Sequence, residues 1–477
     1  MNFIVVMLDT LRADHLGAYG GTSAKTPNMD KFASTAMRFG NAHIASWPTI
    51  PNRTDLFTGR YGEPFHGWEP LSYMDVTLPE VFRKAGYATQ LIHDTPHLIN
   101  YGFGFDRPFN CWWMIRGNEV DRCWTDHHFY KAPCRRELRK TERGDPFHQQ
   151  SLRNVRNRSD HEEDRFCAQV MTSASKWLQD NYKNEDFFLW IDCFDPHEPW
   201  DPPQKYIDMY DPDFDGEFIT NFFDAKNATP REIKHVCARY AAMVTMVDTW
   251  IGKLFTQIEQ LGIAENTAVI LMSDHGTGLC DHEDMHKNLP IYDEVSRLVF
   301  MMRVPGVTTA NSSSDVLVQP PDLMPTILEL TGLEADYEPH GISLVPTLKG
   351  EKQATRYICV SGTNPKLSLP LTATVNDGEW TYIFRPEPNP DELYCTSEDK
   401  KQQNNVIEAH PAEAKRLRKA MLRHFETTVD TPEWLMEFYR TGRESIARPK
   451  PARELERRRE QSLHQRHFLQ TRFKEID

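Results

Sequence analysis

Close to its start the chain reads Phe3-Ile4-Val5-Val6-Met7-Leu8-Asp9-Thr10, a continuous apolar run of strand length that ends in a carboxylate. A run without polar alternation is typical of a parallel strand that is buried on both faces. A second run, Ala268-Val269-Ile270-Leu271-Met272-Ser273, is followed by Asp274-His275-Gly276, and a third ends in Asp192. We therefore predict an α/β fold with a large, mostly parallel sheet, in which metal-ligand residues meet at the carboxyl ends of the strands.

A nucleophile-type turn follows in Thr49-Ile50-Pro51-Asn52-Arg53 and continues through Leu56-Phe57-Thr58-Gly59-Arg60. Pro48 and Pro51 mark an extended approach to a helix, whose first backbone N–H groups are free to attract an anion. The hydroxyl presented there is that of Thr49, which we predict to be the catalytic nucleophile. Arg53 would hold the nucleophile or an oxygen of the transferred group in a charge-assisted pair. Taken alone, the segment also fits a proline-rich turn before a surface helix.

The order and wide separation of these segments resemble the sulfatase family of the alkaline phosphatase superfamily. Asp9 with the following Leu-Arg-Ala-Asp-His-Leu-Gly looks like the family's first metal-binding strand, residues 49–60 look like its signature, and Asp274-His275-Gly276 looks like its second metal-binding strand. The resemblance covers most of the chain. It implies an alkaline-phosphatase-like sandwich, in which helices flank a large mixed sheet and a smaller C-terminal α+β subdomain carries an antiparallel sheet. It also implies an ester hydrolase that acts on sulfuric or phosphoric esters.

Thr49 stands where sulfatases of established chemistry carry a cysteine or serine that is oxidised to formylglycine. Oxidation of its secondary alcohol would give a ketone, so we expect no formylglycine and direct attack by the unmodified hydroxyl, as in the superfamily's phosphodiesterases. Water must then break a threonyl ester, a step that is routine for phosphoenzymes. Ser46 is a weaker candidate for the modified residue, because the arginine of the signature would then fall on Ile50.

Three functions therefore remain open for the site. The resemblance implies a metal-dependent sulfatase-family hydrolase of sulfate or phosphate-type esters. The chemistry of a threonine nucleophile favours a phosphodiesterase or a phosphonate monoester hydrolase. The third alternative is a catalytically silent relative that only binds anions.

The residues that resemble the family's cation ligands are Asp9, Thr49, Asp274 and His275. Thr10 replaces a second aspartate that many sulfatases have at this position, and Asp14 is an open candidate for the lost carboxylate. An imidazole with few carboxylates suits Mn or Zn at least as well as Ca, which is usual in the family. We expect one divalent cation, which would neutralise two oxygens of the substrate.

Further polar residues are candidates for contacts with the substrate. His197 lies in the segment Asp195-Pro196-His197-Glu198-Pro199, and we predict that His197 and Lys287 bind the transferred group or protonate the leaving oxygen. The predicted substrate-binding residues are His97, His282 and Arg116. His282 and His286 could instead bind a second cation together with Asp195, which is the less favoured alternative.

Residues 1–345 are predicted to form the catalytic α/β domain, since 477 residues are too many for a typical single domain. Within it, residues 98–165 lack regular periodicity and are rich in aromatic and charged side chains, which indicates a substrate-facing insertion or a lid. Residues 346–430 are predicted to form the small C-terminal α+β subdomain. Residues 431–477 are predicted to form a charged helical tail, through which the chain could form a homo-oligomer.

The net charge of -14 disfavours nucleic acid as a partner, whereas a cationic pocket can still select a small anionic ester. Nine cysteines without paired spacing fit reduced thiols. No apolar run approaches the length of a membrane span, and the first strand begins too early for a signal peptide. These features predict a cytoplasmic protein without a membrane partner.

Overall fold

The computed structural model of the chain describes residues 1–62, 66–119, 121–123, 151–152, 154–155, 161–184, 186–219, 228–282, 285–287, 289–351, 356–363, 371–429 and 431–442. The predicted tail beyond residue 442 and most of the predicted insertion between residues 124 and 160 lie outside the described residues.

The strands form one large sheet, one small sheet and a two-stranded ribbon. They are β1 (Asn2–Leu8), β2 (Met37–Ala42), β3 (Ser46–Trp47), β4 (Ala88–His93), β5 (Cys111–Met114), β6 (Phe187–Cys193), β7 (Thr267–Ser273), β8 (Gly278–Leu279), β9 (Met285–His286), β10 (Phe300–Arg303), β11 (Ser312–Val318), β12 (Cys359–Thr363), β13 (Ala373–Asn376), β14 (Trp380–Phe384) and β15 (Glu392–Cys395).

The large sheet has the strand order β11-β2-β10-β7-β1-β6-β4-β5. Its central strands are parallel, with β1 between β6 and β7 and with β4 beside β6. β10 runs antiparallel to both of its neighbours, β7 and β2. The predicted mixed and mostly parallel sheet is therefore confirmed.

Helices cover both faces of the large sheet, and the two most C-terminal helices pack on the small sheet. They are α1 (Pro27–Ala33), α2 (Thr49–Thr58), α3 (Leu78–Lys84), α4 (Phe166–Asn181), α5 (Gln204–Ile207), α6 (Pro230–Gln260), α7 (Asp293–Ser296), α8 (Leu323–Thr331), α9 (Val345–Leu348), α10 (Pro411–Arg423) and α11 (Glu433–Thr441). Among the helices of the described ranges, none has the combination of length and apolar character that crossing a bilayer requires.

β1 is buried along its whole length, as its unbroken apolar sequence predicts. Its side chains alternate between two cores, so that Val6 packs with α1, α4 and α6 on one face. Val5 packs with α2, α3 and α8 on the other face. The sheet is therefore the middle layer of three, and its strand ends open onto one edge where polar residues can gather.

The small sheet has the order β15-β14-β13-β12-β3. Its strands are antiparallel except for β3, which pairs in parallel with β12 through Ser46 opposite Gly362 and Trp47 opposite Thr363. Because α2 follows β3 after one residue, the segment that leads into Thr49 belongs to the small sheet. The expected small antiparallel sheet is present, with this additional parallel strand from the N-terminal region.

Two segments differ from the expected domain pattern. Residues 111–114, inside the predicted insertion, form the edge strand β5 of the large sheet. The sequence of this strand does not alternate between apolar and polar side chains, because two tryptophans follow each other. Trp112 and Trp113 are both exposed in the structure. Residues 433–441, inside the predicted charged tail, form α11, whose Leu435 and Tyr439 pack into the core of the small sheet.

Candidate active site

The carboxyl ends of β1 and β7 bring three ligand-type side chains together. The two strands are parallel, with Leu8 opposite Ser273, so that Asp9 and Asp274 follow at the same edge of the sheet. One oxygen of each carboxylate and one ring nitrogen of His275 all lie within 4.8 Å of one another. All three side chains are buried. The structure thus gathers Asp9, Asp274 and His275 into one group, which we call the ligand cluster.

Thr49 begins helix α2 and presents its hydroxyl to the ligand cluster. Its Oγ1 atom lies 3.3 Å from Nε2 of His275. The other ring nitrogen, Nδ1, donates a hydrogen bond to the carbonyl oxygen of Gly276 at 2.8 Å, which leaves a lone pair on Nε2. Burial lowers the pKa of His275 to about 3, so the ring is neutral. A neutral imidazole with a free lone pair is the form that binds a metal ion.

Arg53 lies one turn along α2 and is completely buried. Its Nη2 atom lies 3.1 Å from Oδ2 of Asp9, and its Nη1 atom forms an ion pair with Asp274. Nε and Nη2 also donate to the two carboxylate oxygens of Asp192, at 3.1 and 2.8 Å. Arg53 is therefore fixed by three carboxylates beside the Thr49 hydroxyl.

Asp192 holds Arg53 from the end of β6. It also accepts hydrogen bonds from the Thr95 hydroxyl at 2.7 Å and from the Trp190 indole at 3.3 Å. The sequence places Asp192 at a strand end but assigns it no role. The sequence feature that could have identified Asp192 is the third apolar run, because this run ends in Asp192 at the same sheet edge as Asp9.

The two carboxylates of the ligand cluster share the positive charge of Arg53. Burial and the neighbouring Asp9 raise the pKa of Asp274 well above its usual range. Burial also opposes ionisation of Asp9, but the combined attraction of Arg53, His197, His275 and Lys287 holds the pKa of Asp9 below its usual range. Oδ2 of Asp9 makes no hydrogen bond to any described residue, although Arg53 lies nearby. Two carboxylates, a neutral imidazole and a hydroxyl therefore fit a divalent cation.

Thr10 touches both carboxylates of the ligand cluster. Its backbone N–H donates to Oδ1 of Asp274 at 3.0 Å, and its hydroxyl donates to Oδ1 of Asp9 at 2.7 Å. Its φ angle is 65°, which is unusual for a β-branched residue. Asp14, the open candidate for a replacement carboxylate, pairs instead with Arg12 at 2.6 Å.

Lys287 and His197 form a contact beside the ligand cluster. Nζ of Lys287 lies 2.5 Å from Nε2 of His197. Nδ1 of His197 donates to the carbonyl oxygen of Glu198 at 2.8 Å, so that Nε2 accepts from the lysine ammonium. Burial lowers the pKa of His197, which agrees with a neutral ring. Both residues act electrostatically on Asp9, which places them close to the site.

His97 pairs with Glu119, a residue to which the sequence assigns no role. Nε2 of His97 lies 2.5 Å from Oε2 of Glu119. Burial alone would raise the pKa of Glu119, but the charge and hydrogen bond of His97, together with the charges of His197 and Lys287, lower it. Glu119 therefore lies near His197 and Lys287. It belongs to a stretch of sequence without a periodic pattern, so the sequence does not indicate its role.

The other predicted contacts are engaged elsewhere in the described structure. Arg116 is 57% exposed and forms two hydrogen bonds to Asp121 at 2.6 and 2.8 Å. His282 pairs with Glu294 at 2.7 Å and with the carbonyl oxygen of Gln402 at 2.9 Å. The substrate-binding roles of Arg116 and His282 stay predictions.

Ser46 and Asp195 also have partners. The Ser46 hydroxyl donates to Asp55 at 2.8 Å, whereas the hydroxyl beside His275 is that of Thr49. Asp195 accepts a hydrogen bond from the backbone N–H of Cys167 at 3.1 Å. The His286 side chain lies outside the described part of the structure.

A large mixed sheet with helices on both faces, and a strand-end cluster of carboxylates, imidazole and a helix-start hydroxyl, define a hydrolase of the alkaline phosphatase superfamily. The sulfatase family model matches residues 1–333, and the model of the C-terminal region of N-sulphoglucosamine sulphohydrolase matches residues 281–429. The chain therefore belongs to the sulfatase family and is an ester hydrolase of the sulfatase and phosphoesterase type.

Individual relatives agree with this assignment. The chain is 24% identical over 478 residues to an arylsulfatase of Clostridium perfringens, a match that covers 89% of this chain and 94% of the relative. It is 23% identical over 427 residues to an N-acetylglucosamine-6-O-sulfatase of Bacteroides thetaiotaomicron, which covers 73% of this chain and 71% of the relative.

The fold is also similar to a crystal structure of a phosphonate monoester hydrolase of Agrobacterium radiobacter. That match has a TM-score of 0.74 and 20% sequence identity, and covers 90% of this chain and 96% of the other. At this level of identity, the similarity concerns the fold.

Proposed function

We propose that the protein is a metal-dependent hydrolase in which Thr49 attacks a small anionic ester of phosphorus, either a phosphodiester or a phosphonate monoester. The observation that carries this proposal is the 3.3 Å contact between Thr49 Oγ1 and His275 Nε2, within the ligand cluster and next to Arg53. The unmodified hydroxyl is the group that distinguishes this chain from sulfatases with formylglycine.

Asp9, Asp274, His275 and the Thr49 hydroxyl are the residues that would hold the divalent cation. When bound, the cation would supply Lewis-acid charge that favours the ionised Thr49 oxygen and offsets the charge of the substrate. Mn, Zn and Ca are all compatible with this donor set, which contains one imidazole among oxygen ligands.

Arg53 and Lys287 have separate tasks in the proposed reaction. Arg53 keeps the start of α2 against the ligand cluster and offers positive charge to the oxygens of the group that is transferred to Thr49. Lys287, held by the neutral His197, is the proton donor to the departing alkoxide, so that an alcohol leaves. The Thr49 hydroxyl gives up its proton to solvent, and the bond from the central atom to the threonine oxygen forms as the bond to the leaving oxygen breaks.

The second half of the reaction favours phosphorus over sulfur. A formylglycine hydrate has a second hydroxyl that can expel sulfate by C–O cleavage, but threonine has none. The threonyl ester must therefore be hydrolysed by water at the central atom, which is the ordinary route for phosphoenzymes.

Sulfate ester hydrolysis is the second candidate function. It is favoured by the family matches, which extend through the C-terminal region to residue 429. In that case the threonyl sulfate would be hydrolysed by water through attack at sulfur.

A substrate panel distinguishes these functions. The purified protein is assayed with Mn, Zn or Ca on bis-p-nitrophenyl phosphate, p-nitrophenyl phenylphosphonate and p-nitrophenyl sulfate, with the Thr49→Ala variant as the background control. We expect kcat/KM on a phosphorus ester to exceed that on the sulfate by at least about tenfold. A preference for the sulfate would favour the second candidate. Absence of turnover with all three, together with binding of phosphate or sulfate, would identify a silent relative.

We propose a reducing compartment, the cytoplasm, for this enzyme. The proposal is supported by buried free thiols at Cys167, Cys193 and Cys359, which would be unusual in an oxidising environment. Fractionation of the native host would test it, and recovery of the protein with secreted material would refute it.

A further inference from the structure

Thr10 is the residue that connects the two carboxylates of the ligand cluster. Asp9 receives a hydrogen bond from the Thr10 hydroxyl and Asp274 receives one from the Thr10 backbone N–H, although Asp9 and Asp274 lie on different strands. The same oxygen of Asp274 also accepts from the backbone N–H of His275 at 2.7 Å. Each carboxylate therefore has one oxygen held by a fixed donor, and its other oxygen is turned toward Arg53.

The backbone of Thr10 is strained in order to make these contacts. A φ of 65° brings the side chain of a β-branched residue close to its own backbone, so the conformation persists only where surrounding contacts enforce it. Such outliers are concentrated at functional sites. The strained residue Thr10 therefore contacts both Asp9 and Asp274, the two carboxylates that would bind the proposed cation.

Tyr240 enforces this conformation from the opposite side. Its hydroxyl donates to the carbonyl oxygen of Thr10 at 2.9 Å and accepts from the backbone N–H of Arg12 at 2.9 Å. Tyr240 is fully buried on the long helix α6 and packs edge-on against Trp200 at 5.1 Å. The peptide on the carboxyl side of Thr10 is thus anchored to the core, at a point that does not touch Asp9 or Asp274.

We propose that Thr10 is a positioning residue that presets the distance and orientation of Asp9 and Asp274 for a divalent cation, with Tyr240 as its anchor. This inference rests on the cation site of the proposed function. Since the hydroxyl of Thr10 is used as a donor to Asp9, it orders an existing ligand and adds no negative charge. Partners that orient metal ligands typically change metal affinity by about 10- to 100-fold when they are removed.

The test is a direct measurement of metal binding. Wild type and the variants Thr10→Val, Thr10→Ser and Tyr240→Phe are stripped with a chelator, and MnCl2, ZnCl2 and CaCl2 are titrated calorimetrically. Thr10→Val keeps the shape of the side chain and removes the donor, so its dissociation constant should rise by at least about tenfold. Thr10→Ser retains the hydroxyl and should stay within about threefold of wild type. Tyr240→Phe should weaken binding by about three- to tenfold without any change to a residue of the ligand cluster.

Thermal unfolding of the metal-free proteins shows whether each variant is folded. If Thr10→Val does not fold, Tyr240→Phe decides the question in its place. If the metal affinities of Thr10→Val and Tyr240→Phe are within about twofold of wild type, the positioning role of Thr10 is wrong. That result would not contradict the cation site itself. Failure of the wild-type protein to bind any of the three cations would overturn both the cation site and this inference.

Discussion

Thr49 Oγ1 lies 3.3 Å from Nε2 of His275, a residue 226 positions further along the chain. The contact exists because α2 begins at the sheet edge where β7 ends. A hydroxyl at a helix start and a neutral imidazole at a strand end are thereby presented to the same point in space. The proposed chemistry depends on this meeting of two distant segments.

Replacement of Thr49 should abolish turnover and preserve the fold. We expect Thr49→Ala to lower kcat by at least about a thousandfold, because Thr49 supplies the hydroxyl that lies beside His275 among the described residues. Thr49→Ser retains a hydroxyl and should keep measurable activity. Steady-state kinetics on the best phosphorus ester, with circular dichroism as the folding control, provides the measurement. Activity of Thr49→Ala within about tenfold of wild type would exclude Thr49 as nucleophile.

Asp274→Asn should weaken retention of the cation. The substitution removes a carboxylate charge and also weakens the ion pair to Arg53, but it keeps the size of the side chain. Elemental analysis after gel filtration should show clearly lower metal content than in wild type, and added metal should restore part of the activity. Full metal occupancy in the variant would show that Asp274 is not a ligand.

Lys287→Ala should make the rate depend more strongly on the leaving group. Loss of a proton donor harms a poor alkoxide leaving group by about 10²- to 10⁴-fold but affects p-nitrophenolate much less. The measurement is kcat/KM for a series of aryl and alkyl esters, plotted against the pKa of the leaving alcohol. An equal loss for every leaving group would assign Lys287 to binding of the transferred group.

Asp55 should be important for stability because it satisfies three buried donors. Its carboxylate accepts from the backbone N–H and the hydroxyl of Ser46, both at 2.8 Å, and from the backbone N–H of Gly62 at 2.6 Å. Asp55→Ala leaves these donors unpaired and should lower the free energy of unfolding by about 3 kcal/mol. Ser46→Ala removes one of the three bonds and should cost about 1 kcal/mol while turnover persists. Urea unfolding followed by fluorescence tests both values, and equal losses would refute this explanation.

His424 should make stability fall at acidic pH. Burial, with smaller effects from Arg356 and His340, lowers the pKa of His424 to about 3, from the usual histidine value of about 6.5. Between these two pH values the unfolded chain binds a proton that the folded protein does not, so this contribution to stability is complete above pH 6.5 and is lost as the pH falls. The slope is about 1.4 kcal/mol per pH unit.

The matched variant for this effect is His424→Phe, which keeps a ring against Tyr61, whose centroid lies 4.8 Å away. Its unfolding free energy should lose this part of the pH dependence. A wild-type slope that is unchanged in His424→Phe would show that other groups cause the acid sensitivity.

The strand ends and the long helix could be predicted from the sequence because their signals are local. The apolar runs before Asp9 and Asp274 specify buried strands, and Pro230–Gln260 has the helical periodicity of the observed α6. The resemblance to the sulfatase family then allowed the two strand ends and Thr49 to be assigned to one site. Local pattern and motif order therefore sufficed to predict the fold and to propose which residues form the centre of the candidate site.

The supporting residues could not be predicted, because their roles arise from tertiary contacts. Asp192 acquires its role only when Arg53 reaches it across 139 positions of the chain. Glu119 lies in a stretch without periodicity, and its pairing with His97 depends on how that loop folds. The left-handed backbone of Thr10 is likewise enforced by Tyr240, 230 positions away, and no propensity of threonine indicates it.

The parallel pairing of Ser46 with Gly362 and of Trp47 with Thr363 has a consequence for engineering and for evolution. The short strand β3, which leads into the proposed nucleophile, pairs with β12 from the C-terminal part of the chain. The two structural units therefore share a seam one residue away from Thr49. A chimaera that takes its first 345 residues from one homologue and the rest from another would have to match this seam. Substrate range is therefore expected to diversify through surface loops, with exchange of whole C-terminal units being rare.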